Sequence, residues 1–142
     1  MTPRLYVETS ALLRALLEGD FGLRKAIEAQ AVTTSALTFV EAARALARAR
    51  SDGRLNSAMV RTQQRWLSAF ERSCDVLLLD EAVLRRAREQ FPVEPVRTLD
   101  AIHLASILDL DQQVGGITVA SCDERVRRNA SALGFQLQPL TA

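Results

Sequence analysis

Short apolar runs alternate along the chain with longer stretches whose apolar residues recur every three or four positions. The first pattern is that of a strand and the second that of an amphipathic helix. Leu5-Tyr6-Val7 predicts a first strand, followed by a helical pattern from Ser10 to Leu17 that stops near Gly19. A second helix is predicted over Phe21 to Ala29, then a short strand over Ala31-Val32-Thr33-Thr34. A helix from about Ala36 to Ala49 breaks at Ser51-Asp52-Gly53, and another runs from Ser57 to Glu71 with Met59, Trp66, Leu67 and Phe70 on or near its apolar side. Val76-Leu77-Leu78-Leu79 is a continuous apolar run, the pattern of a strand buried on both faces. Asp80 to Gln90 reads as helix, Pro92 and Pro95 mark a loop, and Thr98 to Leu110 is helical, ending before Gly115-Gly116. Ile117-Thr118-Val119-Ala120 is a further strand, Asp123 to Leu133 a helix stopped by Gly134, and Phe135-Gln136-Leu137 a last strand.

Strands separated by helices imply right-handed crossovers and a parallel sheet covered on both faces. The expectation is therefore a three-layer α/β/α sandwich, and 142 residues fit one such domain without a linker or repeat. Hydrophobic residues make up 48% and aromatics 5%, so the core must be aliphatic. The net charge of +1 gives no overall field toward nucleic acid, and any such binding must come from local patches. Lys25 is the only lysine among the basic residues; the arginines suit phosphate contacts, although a GC-rich genome gives the same bias. The two cysteines, Cys74 and Cys122, form no framework or metal-ligand spacing, and no apolar run approaches membrane length. These features lead us to expect a cytoplasmic protein with no membrane partner.

Open parallel sheets place their sites beyond the carboxyl ends of the strands, where the strand order reverses. Glu8 directly follows the first strand, and Asp123 comes shortly after the Ile117–Ala120 strand. Glu41 lies on the helix after the second strand, and Asp100 opens the helix after the proline-containing loop. Neighbouring first and fourth strands would set Glu8 and Asp123 face to face, with Glu41 and Asp100 converging from the flanking helices. Clustered carboxylates raise one another's pKa unless a positive charge neutralises them. The hard divalent cations Mg²⁺ and Mn²⁺ are the natural partners of such an oxygen-only site, and they support phosphodiester displacement. The single histidine and the lack of a glycine-rich phosphate loop exclude most triad and P-loop chemistries.

Each acid also has an ordinary structural explanation. Glu41 completes Thr38-Phe39-Val40-Glu41, a capping-box spacing, and shares a helical face with Arg44 and Arg48. Asp100 and Asp123 suit helix N-termini, and Glu8 could be a strand end of no consequence. Asp80-Glu81 is a control: it also follows a strand, but one expected at the sheet edge, and reads as a cap. His103, three residues after Asp100, reads as a packed or supporting residue rather than a base. Cys122 reads as a small filler, the Met59, Trp66 and Phe70 stripe as core or partner surface, and Arg85, Arg86 and Arg88 as a solvated face.

The segments Leu5-Tyr6-Val7-Glu8-Thr9-Ser10-Ala11-Leu12, Thr38-Phe39-Val40-Glu41, Thr98-Leu99-Asp100-Ala101-Ile102-His103-Leu104-Ala105 and Thr118-Val119-Ala120-Ser121-Cys122-Asp123 resemble the PIN-domain nucleases, most closely the VapC-type toxins of toxin–antitoxin pairs. The resemblance covers essentially the whole chain. It implies strand order 3-2-1-4-5, Mg²⁺ or Mn²⁺ held by Glu8, Glu41, Asp100 and Asp123, cleavage of RNA, a homodimer, and inhibition by an antitoxin. By the same resemblance Ser10 or Thr9 would help hold a water, and Ser121 would orient Asp123. Residues 36–71 would form a projecting helical pair used for dimer and antitoxin contacts. Arg44, Arg48, Arg97 and Arg125 are the candidate RNA contacts. The family usually has aspartate where this chain has Glu8, which reaches about 1.5 Å further. That departure motivates an alternative, a weakened PIN domain that binds RNA or a protein without cleavage. A third reading, a receiver-like phosphotransfer domain, needs an aspartate nucleophile where Glu8 stands.

Overall fold

The structure, a computed structural model, describes residues 3–140. Five parallel strands, β1 (Arg4–Val7), β2 (Ala31–Ser35), β3 (Asp75–Leu77), β4 (Ile117–Ala120) and β5 (Gln136–Leu137), form one sheet in the order β3-β2-β1-β4-β5. The chain winds outward from β1 first to β2 and β3, then crosses back to β4 and β5. The reversal falls between β1 and β4, where Val7 is in register with Ala120 and the Glu8 amide donates to the Ala120 carbonyl at 2.9 Å.

Among the described residues seven helices accompany the strands: α1 (Thr9–Leu17), α2 (Phe21–Glu28), α3 (Ala36–Ser51), α4 (Ser57–Ser73), α5 (Glu81–Arg86), α6 (Thr98–Val114) and α7 (Glu124–Ala132). The pleat of β1 divides the core in two. Leu5 and Val7 join Leu12, Leu16, Leu46 and Phe70 on one face, whereas Tyr6 joins Leu104, Ile107, Val119 and Val126 on the other. Both faces of the sheet are therefore covered, and both cores are mainly aliphatic, as the composition requires. The α6 helix is apolar on most of its circumference and ends at Gly115, whose φ of 63° lets the chain leave the helix and turn into β4.

Four local expectations need correction. The third strand is Asp75–Leu77 rather than Val76–Leu79, and it is only half-buried, with Leu78 74% exposed. Its apolar run misleads because β3 is an edge strand paired only with β2. The helix expected over 80–90 is α5 alone, because the chain tightens into turns after Arg86 and buries Phe91 ahead of Pro92. Arg86 is drawn in with it, its guanidinium 4.3 Å over the Phe91 ring, so it does not belong to a solvated face. Thr38 and Glu41 do not form a capping box either. Ser35 caps α3, accepting from the Leu37 amide at 3.0 Å, while Thr38 lies one turn inside and accepts from Thr34 at 2.8 Å.

Candidate active site

The carboxyl ends of β1 and β4 carry the first part of the site. Glu8 has extended backbone and serves as the N-cap of α1, its carboxylate accepting from the Ser10 amide at 3.1 Å. It is 5% exposed, so its remaining oxygen valence is met inside the protein. Ser10 Oγ and Ser121 Oγ both donate to Oε1, the latter at 2.6 Å. Ser10 Oγ in turn accepts from the Cys122 amide at 2.8 Å, and Ser121 Oγ from the Asp123 amide at 3.0 Å. These bonds tie the loop after β4 to the loop after β1 across the topological switch point.

Asp123 caps α7, with Oδ1 accepting from the Arg125 and Val126 amides at 2.9 and 3.2 Å. Its Oδ2 receives Arg97 Nη2 at 3.4 Å. The same guanidinium donates through Nε to Asp100 Oδ2 at 3.3 Å. Arg97 thus spans two acids that lie far apart in sequence, one of them buried at the start of α6. The loop that delivers Arg97 and Asp100 is clamped from behind. The buried Asn129 accepts from the Val93 amide at 2.8 Å and donates to the Val93 carbonyl at 2.9 Å, and Glu94 accepts from the Phe91 and Val96 amides.

Glu41 reaches over the sheet edge from α3. Its Oε1 accepts from Thr9 Oγ1 at 2.6 Å and from His103 Nε2 at 2.7 Å. Burial pushes this carboxyl up, but the His103 and Thr9 hydrogen bonds outweigh it and hold the group below its ordinary value. Its partners are Thr9 and His103 rather than the arginines of its own helix.

The four acids therefore lie at the carboxyl edge of the sheet in two hydrogen-bonded groups. Glu41 is held by Thr9 and His103, while Glu8 is joined through Ser121 to the Asp123 amide, and Arg97 links the Asp123 side chain to Asp100. They do not form a closed ligand cage. Among the described residues, no three of the His, Cys, Asp and Glu side chains are gathered in a way that could hold a metal ion. Of the candidate RNA contacts, Arg97 is engaged with the acids, whereas Arg44, Arg48 and Arg125 are exposed. Arg48 lines a cavity of about 580 Å³ beside Ser10, together with Arg14, Arg54, Leu13 and Leu55. Arg125 borders a smaller depression with Pro95 and Asp123. Neither cysteine is primed as a nucleophile: burial pushes the Cys74 thiol up to about 11, and burial also raises Cys122 despite the neighbouring Arg14.

Sequence reasoning missed Tyr6, whose hydroxyl lies 2.8 Å from Nδ1 of the histidine that holds Glu41, and the clamp by Asn129. Tyr6 is an aromatic in an otherwise aliphatic strand, a modest signal; Asn129 sits in a polar helix and gives none.

The comparisons with known proteins agree with this architecture. No curated protein matches the sequence closely enough to count as a relative. Among solved structures the chain is similar to VapBC2 from Rickettsia felis bound to a DNA fragment from their promoter, with a TM-score of 0.69 and 10% identity, covering 97% of this chain and 99% of that one. It is also similar to PAE2754 from Pyrobaculum aerophilum (TM-score 0.63, 21% identity, covering 95% and 83%). A toxin–antitoxin complex from Klebsiella pneumoniae gives 0.63 at 16% identity, covering 97% and 99%. At such identities the likeness shows the fold. The family is shown by the sequence itself, since the PIN domain profile matches residues 5–132, a span that includes all four acids. This chain belongs to the PIN domain family.

Proposed function

We propose that this PIN domain is a divalent-metal-dependent endoribonuclease and the toxin of a toxin–antitoxin pair. The observation that carries the reading is the Arg97 guanidinium lying between Asp100 and Asp123. Those two acids, from separate elements, draw a positive charge to the switch point of the sheet, where a phosphodiester would have to be met. Oxygen-only donors of this kind fit Mg²⁺ or Mn²⁺, and Arg97 stands where such a cation would be attracted. In this reading Asp100 and Asp123 hold the ion, assisted by Glu8, while Glu41 supports them or takes a proton. When bound, the ion would supply the positive charge needed to activate water and to stabilise the leaving oxygen.

The remaining roles belong to the chain itself. Ser10 and Ser121 fix the Glu8 carboxylate by donating to it, and Ser121 holds the loop that carries Asp123. Thr9 holds Glu41. Displaced from the acids, Arg97 could reach the phosphate, with Arg44, Arg48 and Arg125 as further contacts along the strand. The solved VapBC and toxin–antitoxin complexes of the same fold support an antitoxin as the protein partner. Helices α3 and α4 are proposed as the projecting arm for antitoxin and homodimer contacts. Among the described residues no helix is long and apolar enough to cross a membrane.

Cleavage of structured RNA in the presence of Mg²⁺ or Mn²⁺ tests the proposal. Asp100→Asn is expected to lower the rate by about 100-fold or more. Equal rates for the two proteins would contradict the mechanism. One observation favours the alternative of a PIN domain that binds RNA or a protein without cutting. The Glu8 carboxylate is already occupied by Ser10 and Ser121, and no three ligands are gathered. In that case no Mn²⁺ would bind at millimolar concentration, and wild type would share the inactivity of Asp100→Asn.

A further inference from the structure

A buried polar chain lies behind Glu41, and the reading above gives it no role. His103 on α6 is 1% exposed and Tyr6 on β1 is fully enclosed. The Tyr6 hydroxyl lies 2.8 Å from His103 Nδ1, and His103 Nε2 lies 2.7 Å from Glu41 Oε1. Thr9 Oγ1 donates to the same oxygen and sits 3.1 Å from Nε2. An ionised carboxylate only accepts, so the hydrogen between His103 and Glu41 belongs to Nε2. In the neutral ring Nδ1 then offers only a lone pair, and the Tyr6 hydroxyl must donate to it. A phenol is protonated at neutral pH, so the hydroxyl has the proton this requires. The hydrogen bonds therefore run in one direction, from phenol to imidazole to carboxylate.

A core does not need this chain for stability. Phenylalanine and leucine would fill the same space without buried polar groups that must all be satisfied. What the chain achieves is direction: it ends on one oxygen of an acid at the sheet edge, and Oε2 takes part in none of these bonds.

We propose that Tyr6 and His103 are positioning residues, Tyr6 holding the imidazole by donating to Nδ1 and His103 pinning Glu41 Oε1 so that Oε2 is left to support the ion or take the proton. The role of Oε2 rests on the nuclease reading; the order of the hydrogen bonds does not. Neither residue touches the substrate in this scheme.

His103 is the only histidine in the chain, so a long-range ¹H–¹⁵N spectrum of the intact protein shows a single imidazole. The expected spectrum has Nε2 protonated and Nδ1 bare. Tyr6→Phe, which removes one buried oxygen, should shift the Nδ1 resonance while Nε2, still facing Glu41, keeps its proton. An Nδ1–H or doubly protonated ring in wild type, or an unchanged spectrum in Tyr6→Phe, would overturn the proposal. This measurement needs no activity, so it decides the hydrogen-bond order even if the protein cleaves no RNA and the nuclease reading fails. A second measurement follows the role in cleavage. Tyr6→Phe should lower kcat by roughly 3- to 10-fold, the worth of one hydrogen bond, with KM unchanged. Added to Glu41→Ala it should lower kcat no further, because its effect passes through that carboxylate. The same fold loss with and without Glu41 would indicate general loosening of the core and overturn the positioning role.

Discussion

Arg97 is the residue on which the chemistry of the site turns, because it both satisfies two acids and competes for them. Its side chain is 66% exposed, so its bridges to Asp100 and Asp123 contribute little to stability. Removing it should leave the melting temperature almost unchanged. Arg97→Ala should nevertheless bind Mn²⁺ more tightly than wild type by several-fold, since the positive charge facing the acids is gone. Calorimetric titration measures this directly, and weaker binding in the variant would count against Arg97 as a stand-in cation. The four acids could be picked out from sequence, because strand ends and helix starts locate them at one edge. Their partners could not. Glu41 meets His103 across 62 positions and Glu8 meets Ser121 across 113, separations that carry no local pattern.

Two helices of the site are held at their N-termini by residues that form it. Glu8 caps α1, Asp123 caps α7, and Asp80 caps α5 at the sheet periphery by accepting from the Val83 amide at 2.9 Å. A cap of this kind stabilises by about 1 kcal/mol. Asp80→Ala and Asp123→Ala should therefore each lower stability by roughly that amount in urea denaturation. Only Asp123→Ala should also lose RNA cleavage; loss of cleavage in both would mean that the caps act on activity through folding alone. The α1, α3, α6 and α7 helices and the β1 and β4 strands follow from apolar period and breakers to within a few residues. The stretch from Val76 to Gln90 does not. An apolar run of this kind fits an interior strand and an edge strand alike, and what ends α5 early is the insertion of Phe91 into a core built by distant elements.

For the molecule as a whole, the sheet order determines where chemistry can occur. Because β1 lies between β2 and β4, the loops after β1 and β4 meet, and α3 and α6 bring Glu41 and Asp100 to the same edge. That placement makes a shared cation the central claim, ahead of RNA, antitoxin or dimer. A crystal of the full chain soaked in Mn²⁺ and measured at the manganese absorption edge tests it most directly. The account predicts an anomalous peak within coordination distance of the Asp100 and Asp123 carboxylates, with Arg97 displaced from between them. A fully soaked crystal with no peak there, and Arg97 still bridging the two acids, would contradict it.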